Sequence, residues 1–350
     1  MIGENMNYIE KPNIAMVSSV GIGDAAVYLI VAHNLSINGF NVTFYSNPMS
    51  QMQDWLPGVK VKPYPKVDEC DKEFSDYDLV LADPISIVAK PHHSIEEFGE
   101  LSKKYIFLGV GCTEKELRYD HTDIINRKLS LEIAERCKEL AKCSGEIRLQ
   151  GGDRNKTQVQ SAIDFCKFNL KLNDVEKSSG FKPIPQKKVS FMKNSKRVLI
   201  HPYSSSPTRN WTFSKILQLA KLLKKEGWEP VFTVSPAERP DLLRELKDEF
   251  PAPVFETLSK FADYIYESKI MIGSDSGSVN LASSLGLPTV SLSRRGKNHR
   301  WRPDWTPHRV VLPYMKFKCG SKRIWQPFVT VRMVHRAFES LIKEIEHNQG

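Results

Sequence analysis

Short apolar runs alternate with amphipathic stretches along most of the chain. Near the three-quarter mark, the run Ile270 to Ile272 breaks at Gly273 and Ser274. Apolar positions then recur at helical spacing, Val279, Ala282 and Leu285 with Leu281, until Gly286. Pro288 opens a second apolar run through Val290 and Leu292. This predicts strand, turn, short helix and strand, the repeating unit of a parallel sheet. The turn Asp275-Ser276-Gly277 then lies at the carboxyl end of a strand and the amino end of a helix. Free backbone amides and the macrodipole favour an anion there, a ligand phosphate above all. Asp275 or Ser276 also suits a plain helix cap.

The same alternation starts at residue 13. Ile14 to Val17 is an apolar run and Gly21-Ile22-Gly23-Asp24 a glycine turn. An apolar-rich segment then predicts a helix stopped by Gly39, and Val42 to Tyr45 a second strand of β-branched and aromatic character. Further strands are expected at Asp78–Ala82 and Tyr105–Val110, with a polar loop over 111–123 and an amphipathic helix over 129–143. From Lys171 to Lys196 there are Ser178, Gly180, Pro183, Pro185 and many lysines with little periodicity, which predicts a linker with at most one short strand. A second α/β series follows. It has a strand at Arg197–Ile200, a helix over 214–227, a strand over 230–234, helices over 242–250 and 258–267, and then the unit described above. Val331, Val334, Phe338, Leu341 and Ile345 mark one side of a terminal helix. The expected organisation is a tail over 1–12, a first domain over 13–175, a linker over 176–196, a second domain over 197–328 and a terminal helix over 329–350.

Composition narrows the class. At 350 residues the chain is long enough for two domains, and 41% apolar with 26% charged residues suits globular folding throughout. No run approaches the roughly 18 apolar residues needed to span a bilayer, and the N-terminus lacks a signal-peptide core, so a cytoplasmic location is expected. The six cysteines form no C-x-x-C pair, which indicates neither a zinc site nor a disulfide framework. The 50 Lys and Arg exceed the 41 Asp and Glu by nine, an excess that suits an anionic partner such as a nucleotide or a membrane face. The basic residues are dispersed and no nucleic-acid motif is present, so nucleic acid is not an expected partner.

Several positions carry candidate chemistry. The first turn formally matches G-x-G-x-x-A, but the following strand ends Phe44-Tyr45-Ser46-Asn47, without the acid that would hold a dinucleotide ribose. In that turn Gly21 and Gly23 hold the backbone tight, while Asp24 either complements the helix dipole or projects into the space above the sheet to take a substrate proton. At mid-chain, His201 to Trp211 is a hydroxyl-rich loop. Ser204, Ser205, Thr208 and Arg209 can offer several donors to phosphate oxygens, Arg209 bidentately. Glu238 stands after the next strand, where a carboxylate can hold ribose hydroxyls. The segment Ser293 to Arg302 is a dense cationic loop at a carboxyl edge, facing either solvent or an anion.

Taken together and in this order, Gly21-Ile-Gly23-Asp24, the His201-Pro-x-Ser-Ser loop ending in Arg209-Asn-Trp211, and the stretch Ser274 to Leu292 resemble glycosyltransferase family 9, the ADP-heptose:lipopolysaccharide heptosyltransferases. The resemblance implies a GT-B fold of two Rossmann-like α/β domains facing across a cleft, with acceptor on the first and sugar nucleotide on the second. It implies Asp24 as general base and Arg209 as a second catalytic residue. Ser204, Ser205, Thr208, Glu238, Asp275, Ser276, Gly277, Ser278 and Asn280 would lie around the donor, with Gly21 and Gly23 on the acceptor side. It implies inverting transfer from ADP-heptose with no metal or other cofactor. The acceptor would be an anionic glycolipid or glycan, reached from the inner face of the inner membrane. Arg209 falls where the family commonly has lysine, Asn280 where many members have histidine, and Ser293-Arg294-Arg295-Gly296 replaces a usual Gly-Pro-Thr, so the chain reads as a divergent branch. A sugar-nucleotide epimerase of the same architecture and a non-catalytic basic binding protein are the competing readings.

Overall fold

Strand β1 (Asn13–Val17) is buried beyond its first residue and flanked on both sides, as a central parallel strand must be. It pairs in parallel with β2 (Asn41–Tyr45) on one side and β4 (Leu79–Ala82) on the other. With β3 (Lys60–Lys62), β5 (Ile106–Gly109) and β6 (Gly145–Glu146) these make a sheet of order β3-β2-β1-β4-β5-β6. The order reverses at β1, as in a doubly wound nucleotide-binding sheet. The computed structural model describes residues 11–83, 86, 88, 101, 104–109, 145–146, 156–294, 300–319 and 322–348. The expected helix over 129–143 and loop over 111–123 lie outside these residues.

The second half repeats the arrangement. Strands β7 (Arg197–His201), β8 (Glu229–Phe232), β9 (Ile270–Ser274), β10 (Thr289–Leu292) and β11 (His308–Val311) form a parallel sheet of order β11-β10-β9-β7-β8. Here the order reverses at β7. A two-stranded antiparallel ribbon, β12 (Phe317–Cys319) and β13 (Lys322–Ile324), stands apart from both sheets.

Among the described residues, seven α-helices of at least seven residues cover the sheets or line the interface: α1 (Ile22–Ile37), α2 (Gln158–Asp164), α3 (Phe213–Lys225), α4 (Arg239–Leu246), α5 (Leu258–Tyr266), α6 (Gly277–Ser284) and α7 (Val331–His347). Helix α1 is buried from Ala25 to Ala32 on every side, because one face covers the first sheet and another meets the second half of the chain. Helix α7 is amphipathic. Its Val334, Phe338, Leu341 and Ile345 enter the core of the second sheet, where the Phe338 ring stands edge-on to Trp228 with centroids 5.1 Å apart. Among the described residues, no helix is long and apolar enough to cross a membrane.

The connection between the halves runs through residues 176–196. It contains no strand, only a short 3-10 turn at Pro185–Lys187. Two prolines remove amides that a ladder would need, and side chains take over the pairing. Buried Asn34 of α1 donates to the Glu176 carbonyl at 3.0 Å and accepts from its amide at 2.7 Å. Asn38 does the same for the Asp174 carbonyl and the amides of Asn173 and Asp174, and Ser179 donates to the Ala26 carbonyl. The segment therefore runs along α1 instead of spanning solvent.

Lys187 then pins the two halves together. Its ammonium lies 2.5 Å from Asp54 of the first half and 2.6 Å from Asp263 of the second, it donates to Ser259, and its side chain is 7% exposed. The Trp55 indole donates to Asp263 at 3.1 Å, and its ring lies 5.3 Å from the ammonium. Desolvation pushes the Asp54 carboxyl up, but Lys187 and Ser259 outweigh it and hold the pKa below the usual carboxylate value. That contribution is therefore present above the ordinary carboxylate pKa and fades as pH falls through the lowered one. Lys187→Met leaves two carboxylates facing each other across the joint. Urea unfolding at neutral pH should show a loss of about 2 kcal/mol, less than a fully buried pair would give because Asp54 is partly solvated. The loss should shrink in acid.

Candidate functional site

In a parallel sheet, the loops on either side of the strand where the order reverses run in opposite directions, which leaves a crevice at the carboxyl edge. The first sheet places its reversal at β1, so the turn Val20 to Asp24 borders that crevice. The second places its reversal at β7, so the loop after β7, residues 202–210, and the turn after β9, Asp275 to Gly277, border another. The two edges face each other across a cleft of about 840 Å³, within the range of sites that enclose a small ligand.

Closure of the cleft depends on glycine. The amino ends of α1 and α6 meet head to head. A Cβ added at Gly277 would come within 3.2 Å of the Gly23 amide nitrogen and of the Ile22 Cβ, and one added at Gly23 would lie 3.5 Å from the Gly277 Cα. Both helices thus bring their unpaired N-terminal amides to one place and add their dipoles there. Gly21, which caps α1 in an extended conformation any residue can adopt (φ −79°, ψ 138°), is needed for another reason. A Cβ there would overlap the carboxylate of Asp24.

Asp24 is the third residue of α1, and its side chain folds back into the cleft. Burial raises its carboxyl pKa; its own backbone amide, the neighbouring Ser19 hydroxyl and the Arg209 guanidinium pull it part of the way back. A raised carboxylate facing a cleft is the form a general base takes. Arg209 comes from the opposite half, where its Nη2 donates to the Ser205 hydroxyl at 2.6 Å.

The other expected residues divide into three groups. Ser205, Asp275, Ser276, Gly277 and Ser278 line the cleft beside Asp24 and Arg209. The Ser276 hydroxyl is buried without a hydrogen-bond partner, although Ser276 is the N-cap residue of α6. Ser204, Glu238 and Asn280 also line the cleft but are partly committed elsewhere. Ser204 donates to the Ser206 carbonyl and to Asn210, holding the loop shape. Glu238 accepts from the Ser235 amide at 3.0 Å and its hydroxyl at 2.6 Å. Asn280 donates back to the Ser276 carbonyl and packs against Gly23 at the joint. Thr208 does not line the cleft. Its hydroxyl pairs with Ser206 and its carbonyl accepts from the Trp325 indole, because the 3-10 turn Pro207–Arg209 points Thr208 away while bringing Arg209 in. Of the cationic loop, Arg295, Lys297 and His299 lie outside the described residues.

The sequence reading overlooked part of the wall. Val234, Pro253, Val254 and Phe255 form an apolar side of the cleft, backed by Phe261, whose ring lies 5.0 Å from Phe255. The Pro251-Ala-Pro253-Val-Phe255 stretch has apolar residues in a connection with neither helix nor strand to bury them, which is the one signal that pointed to it. His201, at the end of β7, also lines the cleft; burial lowers its pKa to about 4, so it stays neutral near pH 7. Among the described residues, no three His, Cys, Asp or Glu side chains converge into a set able to hold a metal ion.

A family model for glycosyltransferase family 9 (heptosyltransferase) matches residues 144–323. No curated protein matches the chain in sequence. Among solved structures, the Escherichia coli ADP-heptose LPS heptosyltransferase II shares 15% identity at a TM-score of 0.60, over 95% of this chain and 99% of that one. A family 9 glycosyltransferase from Veillonella parvula shares 14% at 0.65, over 96% and 98%. E. coli heptosyltransferase WaaC, solved with ADP, shares 12% at 0.61, over 94% and 99%. These likenesses show the fold, the two-domain GT-B architecture.

Two outcomes test the geometry around Asp24. Gly21→Ala should leave the fold intact and displace the Asp24 carboxylate, so the chain should melt normally while losing any activity that needs this group. The second test uses the sign of the raised pKa. The folded chain holds this proton more tightly than the unfolded chain, so the group favours folding below the unfolded pKa, and that advantage is lost as pH rises through the folded one. Asp24→Asn should therefore raise the melting temperature at pH 7.5, with the gain shrinking towards about pH 4.

Proposed function

Because the chain belongs to glycosyltransferase family 9, the heptosyltransferase family, and is a glycosyltransferase, we propose that it moves a heptose or closely related sugar from an ADP-linked donor to a hydroxyl of an anionic glycolipid or glycan acceptor, with inversion and without a metal. The observation that carries this reading is the placement of Asp24 and Arg209, from opposite halves, on one cleft with the Asp275-Ser276-Gly277 turn.

The division of labour follows from chemistry. The diphosphate of the donor sits where the amides of the turn at α6, the unpartnered Ser276 hydroxyl and Arg209 can meet it. The apolar wall of Val234, Pro253, Val254 and Phe255 suits a flat nucleobase, and the free capacity of the Glu238 carboxylate suits ribose hydroxyls. Asp24 takes the proton of the acceptor hydroxyl. The acceptor oxygen forms its bond to the anomeric carbon on one face as the bond to the diphosphate oxygen breaks on the other, and ADP leaves with that electron pair. Arg209 and the helix amides hold the growing negative charge, the part a metal plays in other transferases. We assign the acceptor to the first sheet's edge, beside Gly21, Gly23 and the exposed Val20. The proposed place of action is the cytoplasmic side of a membrane that carries the acceptor.

A thermal-shift panel tests the donor class, because a ligand bound only by the folded chain raises its melting temperature. ADP and ADP-heptose should stabilise and UDP-sugars should not; stabilisation by UDP-sugars alone would reject the assignment. With a lipid A–sugar acceptor and ADP-heptose, Asp24→Ala should lower turnover by about 10² to 10⁴ while keeping the ADP shift. Arg209→Ala should lose both the shift and turnover. With Asp24 as base, kcat/KM should rise with pH through an apparent pKa above the ordinary carboxylate range.

A further inference from the structure

Exposed apolar side chains gather in one place outside the cleft. Tyr314 is 66% exposed, Met315 45%, Phe317 52% and Ile324 41%. All four belong to β12, β13 or the residues leading into them. The register sets Phe317 opposite Ile324, and the rings of Tyr314 and Phe317 lie 5.5 and 5.3 Å from that of Phe328, so the exposed groups are contiguous. The ribbon pairs with neither sheet. A lone two-stranded ribbon with uncovered aromatic groups is marginal in water and implies a covering surface.

Charge decides what that surface is. The segment carries Lys316, Lys318, Lys322 and Arg323, and no Asp or Glu occurs anywhere between Asp304 and Glu339. Aromatic and apolar side chains among basic ones, without an acid, match the headgroup layer of an anionic bilayer: rings at the interface and cations at the phosphates. The position agrees. Strand β11 runs parallel to β10 and leads into the ribbon at the same carboxyl edge that holds the donor turn. The ribbon ends at Trp325, whose indole donates to the Thr208 carbonyl at 2.9 Å, and Lys215 donates to the carbonyls of Gln326, Pro327 and Val329 just beyond. It is therefore fastened to the back of the 3-10 turn whose other side brings Arg209 to the cleft.

We propose that the ribbon around Tyr314, Met315, Phe317 and Ile324 is a membrane-docking element that seats the mouth of the cleft on an anionic lipid surface. It gives the proposed transfer to a lipid-borne acceptor a physical setting, but the docking itself needs no sugar transfer. Each basic residue near such a surface strengthens attachment on the order of fivefold, and the aromatic groups add a part that salt does not remove.

Co-sedimentation of the full chain with phosphatidylglycerol–phosphatidylcholine vesicles, against phosphatidylcholine alone, tests this. The wild-type chain should pellet with the anionic vesicles at least about tenfold more strongly, and partly release in high salt. Tyr314→Ser with Phe317→Ser, and separately Lys316→Glu, should each weaken attachment on the order of tenfold and keep the ADP thermal shift. Lys316→Glu carries the test alone if the double variant melts early. Wild-type chain left in the supernatant would overturn the proposal, as would variants that pellet like wild type. So would a wild-type dimer that Tyr314→Ser separates while vesicle binding stays intact. Loss of docking with the ADP shift retained rejects this surface and leaves the transferase reading standing; loss of the ADP shift in the wild type does the reverse.

Discussion

The structure depends on a contact that only missing side chains allow. Gly23 and Gly277 let the first turns of α1 and α6 touch, and everything chemical about the cleft follows from that approach. Two helix starts at van der Waals distance bring their first-turn amides together, and a polar ligand in the cleft beside them meets a positive potential from both halves at once. A side chain at position 277 would press on the Gly23 amide nitrogen and on Ile22 and push the two helix starts apart by a few tenths of an ångström. That is enough to weaken a site whose parts act on the same pair of reacting atoms.

Within this frame the charges are arranged against their own comfort. Asp24 is desolvated beside helix amides and an arginine from the other half, so its carboxylate is neither fully stabilised nor neutralised. A carboxylate locked into a strong ion pair would make a poor base, and one open to water would be too weak. Lys187, by contrast, has two carboxylates and a hydroxyl, and serves as a fastener. The two ionic sites at the interface differ in this way: one is balanced, the other saturated.

Much of this was legible in the residues. The runs at Ile14 to Val17, Val198 to Ile200 and Ile270 to Ile272 are fully buried in their strands and show it by continuous apolar character. Helix α7 shows its period of buried residues plainly. The glycine turn and the Asp275-Ser276-Gly277 turn were visible because backbone constraint, anion chemistry and a strand end coincide there. What stayed hidden depends on tertiary placement. Strand β3 has Val61 as its one apolar residue between two lysines, too short to show a pattern. Thr208 and Arg209 are neighbours in one 3-10 turn, and only the turn's orientation sends one into the cleft and the other to Trp325. The apolar wall at Val254 and Phe255 belongs to an irregular connection, whose direction no periodicity records. Asn34 and Asn38 read as ordinary polar helix positions, yet they hold the connecting segment.

That held segment also shows where the chain passes from one body to the other. Backbone amides of Lys182 and Ile184 donate to carbonyls of Trp55 and Asp54, while those of Met192 and Asn194 donate to carbonyls of Tyr266 and Glu267. Lys188, in a left-handed conformation (φ 43°), stands between the two sets. The molecule's natural seam is therefore a handful of residues around position 188, and a polypeptide divided there would leave each fragment with its own hydrogen bonds intact. Severing it near residue 175 instead would strip α1 of the strap that covers its buried asparagines.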